Sequence, residues 1–145
     1  MTRPEPKPRA AYRVWTTLTT RWLDNDAYGH VNNAVHYQWF DTAVNAWLIE
    51  RGLLDVVAGD PIGLVVETGC RYFQSVEYPQ AVEIGFAVEK MGRTSIRYRL
   101  GVFRKDQDEV IAEGFFIHVL VDRANRRPTP IPAIWQQELG RITEA

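Results

Sequence analysis

Residues 33–52 read NAVHYQWFDTAVNAWLIERG, and their spacing dictates a helix. Tyr37, Phe40, Val44, Trp47, Leu48 and Arg51 recur at intervals of three and four, the period that lines one face of an α-helix. Val35, Trp39 and Ala43 broaden that face, and Gly52 supplies a residue suited to the left-handed stop after the last turn. A helix of about five turns with so wide an apolar surface predicts burial on more than one side.

Outward from the helix the period changes to two. Upstream, Tyr12 to Thr20 is rich in aromatic and β-branched residues and reads as a strand. Downstream, Ile62 to Phe73 forms a second run, opened by Asp60-Pro61. Val82, Ile84, Phe86 and Val88 alternate with Glu83, Gly85, Ala87 and Glu89, as Ile96, Tyr98, Leu100 and Val102 alternate with Ser95, Arg97 and Arg99. Gly92-Arg93 turns between those two runs, and Asp106-Gln107-Asp108 turns into a last run from Val110 to Val121. A short helix is expected over Ala133–Arg141, with Pro132 beside its first turn. The order is thus strand, helix, then four strands read as successive antiparallel hairpins. One apolar helix beside one curved antiparallel sheet of about five strands is an α+β layer arrangement.

Composition narrows the class. The chain has 145 residues, enough for one domain with a real core, and 46% of them are apolar, as in an ordinary globular protein. Residues 1–11 are expected to be a flexible polar N-terminal tail without the apolar region of a secretory signal, and residues 12–145 a single domain. Lys and Arg number 17 against 18 Asp and Glu, so there is no basic excess for a nucleic-acid partner. No stretch has the apolar length of a membrane span. Cys70 is the only cysteine, which rules out an intramolecular disulfide and points to the cytoplasm.

Chemistry concentrates just before the long helix, in Asp24-Asn25-Asp26-Ala27-Tyr28-Gly29-His30-Val31-Asn32-Asn33. Two carboxylates, an imidazole and two amides precede a helix start, where free N–H groups and the positive end of the dipole favour negative charge. A thioester carbonyl on its way to a tetrahedral oxyanion carries such a charge. A nearby carboxylate can attack that carbonyl or deprotonate a water that does. Gly29 lets the loop turn tightly and lets a ligand approach the backbone, with Tyr28 and Asn32 beside it.

Each of these residues also has a plainer role. Asp26 can accept loop N–H bonds in an Asx-turn, Asp24 can be a turn or surface residue, and His30 can hold the loop. Asn32 and Asn33 are favoured N-cap types whatever the function. Asp41, two turns into the helix, is a reserve carboxylate, while His36 and His118 fall within helix and strand patterns as structural residues. Asp24, Asp26 and His30 could offer metal ligands, but no second cluster, Cys pair or HExxH spacing accompanies them, so no metal is expected. There is no GxGxxG, P-loop or GxSxG, and no cofactor is expected.

The segment DNDAYGHVNNAVHYQWFDTA resembles the signature of 4-hydroxybenzoyl-CoA thioesterase-like hotdog enzymes, in which Asp, two residues and Gly lead into the helix. That resemblance implies a hotdog fold, with the long helix wrapped by the sheet, and hydrolysis of an acyl thioester. It places the catalytic carboxylate on Asp26 and the helix-start amide that polarises the carbonyl on Asn33. The segment is also similar to plant-type acyl-carrier-protein thioesterases, whose Asp-x-Asn-x-His precedes Val-Asn-Asn. Asp26 and His30 match, and Val31-Asn32-Asn33 continues the match, but Tyr28 stands where that family has Asn. In some small bacterial relatives a His stands where this chain has Asn33.

The resemblance makes acyl-CoA the expected substrate, with Arg93 and Lys90 at a hairpin turn as candidates for its phosphates. Exposed hairpin cations also serve plain solubility. It further implies a homodimer or homotetramer, with the acyl chain along the helix near a subunit interface. A carrier-protein thioesterase, a hotdog dehydratase and a non-catalytic acyl-thioester binding domain are the alternatives. The Asp-first loop speaks against a dehydratase, and the near-neutral charge offers no docking field for an acidic carrier.

Overall fold

The computed structural model describes residues 3–144. Strand β1 (Val14–Thr19) leads through a 3-10 turn at Trp22–Asp24 to helix α1 (Asn33–Glu50). Strands β2 (Ile62–Tyr72), β3 (Ala81–Met91), β4 (Ser95–Arg104) and β5 (Val110–Val121) follow, then helix α2 (Ala133–Gly140). All strand pairings are antiparallel, and the sheet runs β1-β3-β4-β5-β2.

This order corrects the reading of four successive hairpins. β3–β4 and β4–β5 are hairpins, but β2 lies beside β5 at the far edge and β1 pairs with β3. The tight two-residue turn that enforces neighbour pairing is missing between β2 and β3. Residues 73–80 cross the end of the sheet instead, tied to β5 by the Phe73 N–H, which donates to the Ile111 carbonyl at 2.8 Å.

The alternating apolar residues face α1. Val82, Ile84, Phe86 and Val88 of β3 and Ile96, Tyr98, Leu100 and Val102 of β4 are all at most 1% exposed. Trp47 meets Phe86 edge-on at 6.0 Å between ring centres, and Phe40 meets Phe116 at 6.4 Å. At Gly114 a Cβ would come within 2.5 Å of Phe40, so glycine is what lets the helix sit this close to β5.

The helix buries one broad stripe, not several faces. Val35, His36, Trp39, Phe40, Ala43, Val44, Trp47 and Leu48 are buried, whereas Gln38, Asp41, Thr42, Ala46 and Ile49 are exposed. These exposed positions recur at the same three-and-four spacing, so the mostly polar face was a second stripe within the pattern. On the other side of the sheet, Tyr12, Trp15 and Phe103 pack together over Gly85 and Gly101. The polar segment before Tyr12 lies along this face, where the Lys7 N–H donates to Glu113 Oε2 at 2.6 Å and Arg9 pairs with Glu83 at 2.7 Å. Among the described residues no helix is long and apolar enough to cross a membrane.

Candidate active site

The loop before α1 is braced from below by Asp24. Its side chain is 1% exposed, and its carboxylate accepts the Arg21 N–H at 2.8 Å and the Arg21 guanidinium at 2.7 and 2.9 Å. Its carbonyl accepts the Asn32 N–H at 2.8 Å. Asp24 is therefore a buried brace tying the 3-10 turn to the helix start, not a surface residue.

Above it the chain closes on itself. The Asp26 N–H donates to the His30 carbonyl at 2.7 Å, and the Gly29 N–H to the Asp26 carbonyl at 3.1 Å. Asp26 Oδ1 accepts the Tyr28 N–H at 2.8 Å and the His30 N–H at 3.4 Å. Gly29 has φ +81°, a left-handed conformation that a side chain would strain. The Val31 N–H donates to the Val76 carbonyl at 2.7 Å, which fixes the loop against the β2–β3 crossing.

Asn32 caps the helix, its side chain accepting the Ala34 N–H at 2.9 Å. Asn33 is the first residue of α1, and its N–H has no partner among the described residues. Its carbonyl accepts the Tyr72 hydroxyl at 2.8 Å, pinning the first helical turn to the end of β2. Burial, with Cys70 and Tyr37 as neighbours, holds the Tyr72 phenol well above its usual range, so it remains a donor.

These elements enclose an open cleft of about 370 Å³, lined by Asp26, Asn33, His36, Tyr72, Gln74 and Ser75 among others. Asp26 and Asn33 thus meet as the sequence suggested. Tyr28, Gly29 and His30 stand on the exposed outer side of the loop, Tyr28 being 86% exposed, and none of the three lines the cleft. Lys90 and Arg93 are exposed at the β3–β4 turn. The register pairs Ser95 with Val119 there, whereas the cleft lies where Tyr72 pairs with Ala112, so the opposite end of the sheet carries these cations. Asp41 lies on the exposed face of α1 with Asn45 as its hydrogen-bond donor, outside the cleft.

Of the lining residues that were not among the candidates, His36 and Tyr72 have ring side chains with hydrogen-bonding atoms. His36 sits one turn after Asn33 on the same helical face, which the i, i+3 spacing could have revealed. It is 3% exposed, its Nδ1 has no partner, and burial lowers its pKa to about 4. Tyr72 carried no signal in the sequence beyond its place at the end of a strand.

A second, more apolar cavity of about 350 Å³ lies toward the far end of α1, between Leu48, Ile49, Leu54, Ile62, His118 and Trp135. His118 also has an unpartnered Nδ1 and, through burial, a pKa of about 4. No group of three or more His, Cys, Asp or Glu side chains able to hold a metal ion occurs among the described residues.

A long helix wrapped by a five-stranded antiparallel sheet is the hotdog arrangement, the fold of a class of thioester hydrolases. The chain belongs to the thioesterase-like superfamily, whose family model matches residues 20–139. It is 45% identical to the PA5185 protein of Pseudomonas aeruginosa strain PAO1, over 95% of this chain and 96% of that one, with a TM-score of 0.92. It is 26% identical to the PA2801 protein of Pseudomonas aeruginosa, described as a candidate thioesterase, over 87% and 97% of the two chains, with a TM-score of 0.80. A 1,4-dihydroxy-2-naphthoyl-CoA thioesterase from Synechocystis shares the fold at 16% identity and a TM-score of 0.79, over 88% of this chain and 95% of that one. No curated protein sequence matches the chain.

Proposed function

We propose that this protein hydrolyses acyl-CoA to free acid and CoA, with Asp26 as general base or nucleophile and the Asn33 N–H as an oxyanion donor. One observation carries the proposal. Asp26 spends Oδ1 on loop amides, has no intramolecular partner at Oδ2, and lines the same cleft as the unpartnered N–H that opens α1. The loop bonds orient the carboxylate without neutralising it.

In the general-base route, Oδ2 takes a proton from water as the water oxygen bonds to the thioester carbon. The carbonyl π pair moves onto oxygen, where the Asn33 N–H and the helix dipole stabilise it. The tetrahedral intermediate collapses, the C–S bond breaks, and the thiolate recovers the proton from Asp26. In the nucleophilic route, Oδ2 itself bonds to the carbon, the thiolate leaves, and water hydrolyses the resulting anhydride.

The reading extends to assembly. β2 is a sheet edge, and Leu64, Val65 and Val66 on it are 36%, 45% and 60% exposed. An apolar edge strand is a template for a second chain. Antiparallel pairing of two β2 strands sets the start of one, with its apolar cavity and the Arg93 end of the sheet, beside the end of the other, with its Asp26 cleft. The acyl group and the CoA phosphates then have partners across a homodimer interface, which supports sites between subunits, whether or not dimers pair into tetramers. Residues 12–145 act as one domain in this reading, and the lone Cys70 fits the cytoplasm.

Thiol release from acyl-CoAs of increasing chain length, an aryl-CoA and an acyl-carrier-protein thioester tests the proposal. Turnover of at least one acyl-CoA in preference to the carrier thioester is the expected result. Binding without thiol release contradicts it and leaves a non-catalytic binding domain.

A further inference from the structure

We infer that the hollow between Arg71, Arg97 and Arg99, on the face of the sheet turned away from α1, is a binding site for a phosphate or diphosphate group.

The strand register puts these groups together. Gly69 of β2 pairs with Phe115 of β5, which pairs with Arg99 of β4, and in the next row Arg71 pairs with Glu113. Paired residues share a face of the sheet, as do residues two apart along one strand. Arg71, Arg97, Arg99, Glu113 and Phe115 therefore all project from the face opposite the core, around a hollow of about 130 Å³. Arg71 and Arg99 stand on either side of β5, so guanidiniums reach the hollow from two directions. The side chains of Arg97 and Arg99 are 36% and 18% exposed, and Arg71 is exposed, so a ligand in solvent can meet all three.

The charges do not balance there. Three guanidiniums and one carboxylate line the hollow, an excess of two positive charges. That carboxylate, Glu113, is 5% exposed and already engaged by the Lys7 N–H at 2.6 Å and by Arg99 at 3.5 Å. Glu89 pairs with Arg97 and Arg99, and Glu144 with Arg99, but neither carboxylate lines the hollow. Among the described residues Arg71 makes no ion pair, and only Nε of Arg97 is hydrogen-bonded, to Glu89 at 2.9 Å. The Arg97 guanidinium lies 4.0 Å over the Phe115 ring, which holds its flat face and leaves its terminal N–H groups free.

A guanidinium edge offers two parallel N–H groups that match two oxygens of a phosphoryl group. A phosphate monoester carries a charge of about −1.5 to −2 at neutral pH, close to the excess at the hollow. A single carboxylate supplies half that charge and too few oxygens for three guanidiniums. Arg71 and Tyr72 are consecutive on β2, so Arg71 faces the hollow while Tyr72 faces the Asp26 cleft on the other side of the sheet. The phosphoryl group comes either from the CoA part of a substrate that reaches round the end of β2, or from a separate phosphorylated ligand.

Titration calorimetry of the full chain with inorganic pyrophosphate, at about 0.15 M salt so that diffuse attraction is screened, should show one saturable site per chain. The double variant Arg71→Gln/Arg97→Gln, checked for folding by circular dichroism, should bind at least about tenfold more weakly. Arg51→Gln removes an exposed positive charge at the end of α1 and should change binding by less than about twofold. If CoA is the source, CoA displaces pyrophosphate, and the double variant raises KM for acyl-CoA but not for acyl-pantetheine. If the ligand is separate, CoA does not displace pyrophosphate and both KM values hold. Either pattern supports the site. Wild type without saturable binding overturns it, as does a folded double variant that binds as tightly as wild type, or an Arg51→Gln variant as weak as the double. Should the double variant fail to fold, Arg71→Gln alone should weaken binding several-fold, and unchanged binding overturns the inference. The titration needs no turnover, so a failed site leaves the thioesterase reading standing, and a chain without turnover leaves the site standing.

Discussion

Oδ1 of Asp26 receives the Tyr28 and His30 N–H groups while Oδ2 stays unpaired, so one residue forms the plain Asx-turn and keeps an oxygen for the proposed chemistry. The turn role of Asp26 was legible in the sequence from its residue type and loop setting, and the family signature is what singles it out for the proposed catalytic role. Asp24 does sit in a turn, but its burial was not legible because nothing in its spacing shows that Arg21 folds back to pair with it under the helix. His36 was passed over because periodicity marks a buried face without saying which part of that face borders a cleft. His36 and His118 also make a prediction about acid. Burial depresses both to about 4, below the ordinary value of 6.5, so between these values the unfolded chain binds protons that the folded chain refuses. Stability is therefore full above about pH 6.5 and falls as pH drops toward 4, by about 3 kcal/mol per histidine. Urea unfolding from pH 7.5 to 4.5 should show this loss, and His118→Phe should remove about half of the histidine part. A slope unchanged by that substitution would refute the assignment to buried neutral histidine.

At the scale of elements, the proposed chemistry lies at the start of α1. Asn32 has φ −59° and ψ 137°, an extended conformation that a following proline accepts, and Asn33 holds the first helical position, where proline is tolerated. Asn33→Pro removes the N–H without breaking the helix, and Asn33→Ala keeps it. If that N–H is the oxyanion donor, Pro should lose on the order of a hundredfold in kcat while Ala stays within a few-fold. Equal kcat in folded Ala and Pro variants would move the donor to another group. The extents of α1 and of β3, β4 and β5 were legible because period and turn residues agreed. The place of β2 was not, because a strand's own residues do not name its neighbour and the 73–80 crossing carries no turn signature. Its exposed Leu64, Val65 and Val66 take on meaning only once the strand is known to be an edge.

At the scale of the whole molecule, the apolar cavity and the Asp26 cleft open at opposite ends of β2, and Lys90 and Arg93 share the cavity's end of the sheet. The proposed pairing of two chains on β2 would bring these parts together. Replacing Val65 and Val66 with Lys should charge the edge, shift the protein toward monomer in light scattering, and raise KM for acyl-CoA several-fold or more. A double variant that keeps both the wild-type mass and KM would remove β2 from the interface. The claim on which all of this depends is that Asp26 drives thioester hydrolysis at the helix start. Thiol release by Asp26→Asn, with circular dichroism as the check on folding, tests it most directly. The amide keeps an acceptor for the loop N–H groups but can neither take a proton from water nor attack the carbonyl, so turnover should fall on the order of a thousandfold with the fold intact. Turnover within a few-fold of wild type would contradict the account.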